Sequence, residues 1–110
     1  MKEHVVVEWA PFQPAANVSE EQLLSASRVL QESFLSKQPG FVRRELLRGR
    51  NGDWVDLVYW ADRKAADDAM KAAAESPTCL SYFHLMAGSP NATSGVLHFD
   101  RVTSYGEDST

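Results

Sequence analysis

Hydrophobic and polar positions recur with two different periods along this chain, and the changes of period divide it into elements. His4–Ala10 (HVVVEWA) is rich in β-branched residues and reads as a strand that Pro11 stops. PFQPAAN is a loop with two prolines. Ser19 then stands at a helix N-cap with Gln22 three residues on, a capping-box pattern with Glu20 and Glu21 in the first turn. Leu23, Leu30 and Phe34 follow at helical spacing, with Leu24 and Ser27 nearby. The helix ends at KQPG, because Pro39 disfavours a helical residue before it and Gly40 releases the chain.

FVRRELLRGR and DWVDLVYWA read as two strands joined by Asn51-Gly52, a dipeptide that favours a two-residue hairpin turn. Such a loop places Arg50 opposite Asp53. Leu47 then faces Asp56, Glu45 faces Val58 and Arg43 faces Trp60, while Leu46 faces Leu57 and Arg44 faces Tyr59. DRKAADDAMKAAAE is a second helix, rich in alanine, with Asp62 as its N-cap. SPTCLSYFHLMAG is a short helix with Ser76 as cap, Pro77 at its first position and Gly88 as stop. SPNATSG is a loop, VLHFDRVTSY the last strand, and GEDST a frayed tail.

The order β-α-β-β-α-(α)-β is solved most simply by an α+β ferredoxin-like sandwich. It has a four-stranded antiparallel sheet, helices on one face, and an extra short helix before the last strand. Residues 1–105 form a single domain and 106–110 the tail. Large apolar residues occupy both faces of the hairpin: Phe41, Leu47, Val58 and Trp60 on one, Val42, Leu46, Leu57 and Tyr59 on the other. A bare apolar sheet face needs a partner, and a homodimer is the simplest one.

Composition narrows the function classes. Apolar residues make up 44% and charged residues 24%, as in an ordinary globular domain. A net charge of -4 with no basic run argues against nucleic-acid binding. The lone Cys79 excludes an intrachain disulfide and fits a reducing compartment. The N-terminal stretch is too short and too charged for a signal-peptide core, and nothing approaches a membrane span, so a cytoplasmic protein is expected.

The segment QPGFVRRELLRGRNGDWVDLVYWADRKAADDAMKAAAESP resembles the antibiotic biosynthesis monooxygenase-like proteins of the dimeric α+β barrel superfamily. The likeness lies in Pro-Gly-Phe before the second strand, in the hairpin, and in a strand ending in Trp before a short polar step into a helix. It covers most of the chain in element order and, in sequence, Pro39 to Pro77. It implies a dimer with facing sheets and a pocket between sheet and helices in each subunit. Some members oxygenate aromatic polyketides without metal or flavin, and others degrade haem. The Asn and Trp that line the cavity of the polyketide-oxidising members fall on Asp56 and Trp60, so the Trp is kept and the amide becomes a carboxylate. The Tyr and Arg those members also use fall on Ala66 and Leu80. The helix Trp of haem-degrading members falls on Ala69, and their His ligand near Cys79. The resemblance therefore implies no cofactor, with His84 the residue near enough in sequence to serve as a haem ligand.

Asp56 and Trp60 share a strand face, and the expected register sets Arg43 and Glu45 beside them. As a pocket wall this is a carboxylate base, an aromatic platform and a cation, suited to taking a proton from a phenol or an enol. As a surface, the same residues are a charge ladder with Arg43 over Trp60. His98 on the last strand is a second proton carrier or a partner for Glu8, since the two strands are neighbours in this fold. Tyr82 and His84 stand near an expected pocket mouth. The three histidines are scattered, so no metal site is expected, and no hydrolase or nucleotide-binding glycine motif is present. Two functions remain. One is a cofactor-independent oxygenase-like enzyme acting on an aromatic or hydrophobic small molecule, and the other is a non-catalytic dimeric ligand-binding or interaction module of the same fold.

Overall fold

Each helix begins where a side chain takes its free N–H groups. In the computed structural model, which describes residues 4–88 and 95–106, Ser19 and Gln22 form the expected reciprocal capping box. Asp62 accepts from the Ala65 N–H at 2.8 Å, and Ser76 accepts from the Cys79 N–H at 3.2 Å. The elements run β1 (Val6–Phe12), α1 (Glu20–Ser33), β2 (Phe41–Arg48), β3 (Trp54–Trp60), α2 (Arg63–Ala74), α3 (Pro77–Phe83) and β4 (Leu97–Asp100), with a single 3₁₀ turn at Leu35–Lys37. The sheet has the order β2-β3-β1-β4 with every pair antiparallel, the α+β ferredoxin-like arrangement. Residues 89–94 of the SPNATSG loop and 107–110 of the tail lie outside the described residues.

One core joins the inner face of the sheet to the helices. Val6, Trp54, Val58 and Trp60 pack with Leu23 and Leu30 of α1, Ala66 and Ala69 of α2, and Cys79 and Tyr82 of α3. Strand β3 shows the period that produces this: Trp54, Asp56, Val58 and Trp60 are buried, and the residues between them only partly so. Leu23, Leu30 and Phe34 are buried as their spacing predicts, with Ser27 between them, while Leu24 faces solvent.

The hairpin departs from the expected register by one residue. Arg48 pairs with Trp54, Leu46 with Asp56 and Arg44 with Val58. The Gly49 N–H donates to the Asp53 carbonyl at 2.6 Å, which leaves three loop residues, 50–52. Only Gly52 in that loop has positive φ, at 82°, so Asn51 does not adopt the conformation a two-residue turn needs. A one-residue slip exchanges the two faces of β2. A bulge between Phe41 and Arg43 then adds an extra residue, Val42. Other ends differ as well: α1 gives way to the 3₁₀ turn before Pro39, α3 ends at Phe83 rather than at Gly88, and two strands change their limits. Strand β1 continues through Pro11, because β4 pairs only with Val6–Trp9 and leaves no ladder bond for Pro11 to break on that side. Strand β4 stops at Asp100, opposite Val6, where β1 itself begins.

Candidate functional site

The inner face of the sheet is apolar towards the strand ends, and a row of mostly ionisable residues crosses its middle. Register places Arg44, Val58, Glu8 and His98 in one row across all four strands. Asp56 stands one step along β3 on the same face, and Trp60 one step the other way.

Arg44 and Asp56 form a buried ion pair, with Arg44 Nε donating to Asp56 Oδ1 at 2.7 Å. Their side chains are only 7% and 9% exposed, so each charge depends on the other. Arg44 Nη1 donates to the Ser27 carbonyl at 3.0 Å and Nη2 to the Tyr82 hydroxyl at 3.3 Å. The Tyr82 hydroxyl in turn donates to Asp56 Oδ2 at 2.8 Å. Every member of the cluster has its partners, as a buried polar network must. Burial is the largest single influence on the Arg44 pKa and lowers it, but the charge and hydrogen bond of Asp56 together with Tyr82 outweigh it, and the net shift is upward. Burial, and then the Asp56 charge, raises the Tyr82 pKa well above its ordinary value, so Tyr82 is a neutral donor at working pH.

A second cluster sits at the other end of the row. Trp60 Nε1 donates to Glu8 Oε1 at 3.1 Å, and His98 Nε2 lies 3.3 Å from the same oxygen. Glu8 and His98 are 14% and 15% exposed. Phe41 meets the Trp60 ring edge-on, with centroids 5.9 Å apart, which fixes the indole that reaches Glu8.

Both clusters border a cavity of about 460 Å3 between the sheet and the helices. Glu8, Arg44, Asp56, Trp60 and Tyr82 line it on the polar side. Helix α2 offers Ala69, Met70, Ala73 and Ala74 on the other side, and its alanines take up little of the space. The volume is that of a small-molecule pocket, mostly apolar with a few convergent polar groups. Burial also pushes the Cys79 thiol pKa up, against the weaker effect of its hydrogen bond with Ser76. Cys79 lines the cavity as a protonated, packed group. Among the described residues no group of three or more His, Cys, Asp or Glu side chains is placed to hold a metal.

The candidates from the sequence separate accordingly. Asp56, Trp60 and Tyr82 meet at the cavity, and His98 reaches it through Glu8. The placement of Arg43 and Glu45 beside Asp56 is corrected by the register. They lie on the outer face, bonded to each other, with the Arg43 guanidinium 5.6 Å from the Tyr59 ring rather than over Trp60. Their inner-face neighbour Arg44 takes the cation's place. His84 is the exposed C-cap of α3 and lines no part of the cavity. Sequence reasoning missed Arg44 as the ion-pair partner and Glu8 as a cavity carboxylate. The signal for Glu8 was its spacing from Val6, which places it on the buried side of β1. Ala66 and Leu80, where the family resemblance sought a Tyr and an Arg, carry no polar side chain; the tyrosine and arginine that line this cavity are Tyr82 of α3 and Arg44 of β2.

These features define an α+β protein of the ferredoxin-like class with a cavity between its sheet and its helices. Among solved structures it shares this fold with antibiotic biosynthesis monooxygenase-like proteins. A point variant of SnoaB, a cofactor-independent oxygenase from Streptomyces nogalater, superposes with a TM-score of 0.71 at 22% identity, covering 94% of this chain and 99% of that one. A protein from Bordetella bronchiseptica described as an antibiotic biosynthesis monooxygenase superposes with a TM-score of 0.73 at 14% identity, covering 92% and 100%. One from Nitrosomonas europaea, so described as well, gives 0.66 at 17% identity, covering 96% and 98%. No protein-family model and no curated protein sequence matches the chain. No described helix is long and apolar enough to cross a membrane.

Proposed function

We propose that this chain is a cofactor-independent, monooxygenase-like pocket protein that acts on a hydroxylated aromatic or similarly hydrophobic small molecule, and that it works as a homodimer. The observation that carries the reading is the cavity of about 460 Å3, apolar on its helix side and charge-balanced on its sheet side. The Trp60 indole offers an aromatic face, and Arg44 with Asp56 and Tyr82 offers a rigid polar wall. Oxygenation of an aromatic anion requires deprotonation and exclusion of water, and both are within reach of such a site without metal or flavin. The described oxygenase of the same fold supports the class of chemistry.

One observation favours the second reading, a non-catalytic dimeric ligand-binding module. Both Asp56 oxygens are already engaged, so that carboxylate acts as structure rather than as a base. Two measurements separate the readings. In a thermal-shift screen of quinols, hydroxynaphthalenes and anthrones, a ligand of this cavity raises the melting temperature of the wild type and not of Trp60→Ala. An oxygen electrode then reads uptake with that ligand. Uptake above the uncatalysed rate supports the enzyme. Binding with no uptake leaves the module, and the absence of any stabilising ligand removes both.

A further inference from the structure

Two carboxylates face the cavity, and they differ in what their oxygens hold. Asp56 accepts from Arg44 on Oδ1 and from Tyr82 on Oδ2. It can take a proton from a ligand only by giving up one of those bonds. Glu8 receives Trp60 Nε1 at 3.1 Å and His98 Nε2 at 3.3 Å, both on Oε1. Among the described residues nothing bonds Glu8 Oε2. Glu8 lines the cavity directly. His98 pairs with it across β1 and β4, and the alternation with exposed Leu97 and Phe99 turns the imidazole inward.

From this geometry we infer that Glu8, backed by His98, is the proton acceptor for an acidic hydroxyl of the bound ligand, and that Asp56 is not. The inference rests on the reading of the cavity as a site for a hydroxylated aromatic. In the step, the ligand O–H bond breaks and the proton passes to the Glu8 carboxylate. The ligand remains as an anion beside Trp60 and the Arg44 cation. No electron changes hands. His98 and Trp60 both hold Oε1, which fixes the carboxylate and leaves Oε2 turned to the ligand. His98 acts through Glu8 and is a positioning residue. The other ionisable groups on this face are committed elsewhere or neutral. Arg44, Asp56 and Tyr82 bond one another, Asp100 holds Arg63 of α2 at 2.9 Å, and the Cys79 thiol stays protonated.

The test uses 7-hydroxycoumarin, a fused phenol whose neutral and anionic forms absorb at different wavelengths. It is titrated with the purified protein between about pH 5 and pH 9, which brackets neutrality. The expected result is a bound probe that ionises about one pH unit lower than the free probe, a tenfold gain in acidity. Glu8→Gln keeps an acceptor for Trp60; it is expected to bind the probe with the free probe's midpoint. His98→Gln keeps a donor for Glu8 and is expected to bind with a midpoint between the two. Glu45→Gln, a carboxylate change on the outer face, matches the wild type. If Glu8→Gln ionises the probe like the wild type, the inference falls while the cavity reading stands. If the wild type binds no probe, the cavity reading falls and takes the inference with it. If Glu8→Gln does not fold, His98→Gln decides alone, and an unchanged midpoint there overturns the assignment.

Discussion

At the scale of single residues, the Arg44–Asp56 pair ties stability to the site. Removing one partner of a buried pair leaves an uncompensated charge, at a cost of about 3–5 kcal/mol. Asp56→Leu is therefore expected to lower the urea midpoint strongly, and Arg44→Met combined with Asp56→Leu to recover much of the loss. A double variant as unstable as the single one would show that the pair itself, and not the orphaned charge, sets the cost. Tyr82 makes a prediction with a sign. Its pKa is raised in the folded chain, while an unfolded tyrosine titrates near pH 10.0. The stability it contributes is intact below pH 10.0 and is lost as the pH rises beyond that, because only the unfolded state releases the proton. Tyr82→Phe leaves Asp56 Oδ2 without its donor and is expected to cost about 1–2 kcal/mol at pH 7. Denaturation curves of the two proteins should draw together in strongly alkaline buffer. A gap that stays constant with pH would refute the account.

At the scale of elements, Gly40 explains why the Pro-Gly-Phe step precedes β2. Its φ is +81°, and an added Cβ would stand 2.5 Å from the Ala65 Cβ of α2. Gly40→Ala is expected to cost about 1–3 kcal/mol. The cost should be smaller in an Ala65→Gly background, where the clash is gone and the backbone strain remains; equal costs in the two backgrounds would refute the contact. The caps, the helix faces and the strand order were all legible, because each depends on local chemistry or on a period repeated over several residues. The hairpin register was not. Asn51-Gly52 fits two turn lengths, and the choice depends on the φ of Asn51, which no pattern of side chains records. The consecutive arginines at positions 43 and 44 hid the slip, since either register seats a cation beside Asp56. The site was thus readable in its residue types and unreadable in which arginine belonged to it. His84 misled for another reason: α3 ends at Phe83, so His84 caps the helix and faces solvent, and sequence position alone does not show where the last turn ends.

At the scale of the whole molecule, the outer face of the sheet carries Val7, Trp9, Leu47, Val55, Leu57, Tyr59, Leu97 and Phe99, interrupted by the Arg43–Glu45 pair. Trp9 is 39% exposed and Phe99 52%. A largely apolar face of this kind calls for a partner. Light scattering is expected to give twice the 12.2 kDa chain mass. Phe99→Lys is expected to return the monomer without loss of secondary structure. A monomeric wild type would remove the homodimer from the proposal. The cavity behind that sheet is bounded on one side by a charged network that tolerates little change and on the other by apolar side chains of the helices, the alanines of α2 among them. An alanine codon lies a single base from valine, threonine or serine. The shape of the space is therefore the property of this fold most open to drift, and related chains can come to prefer different ligands through changes in α2 while the sheet chemistry stays as it is.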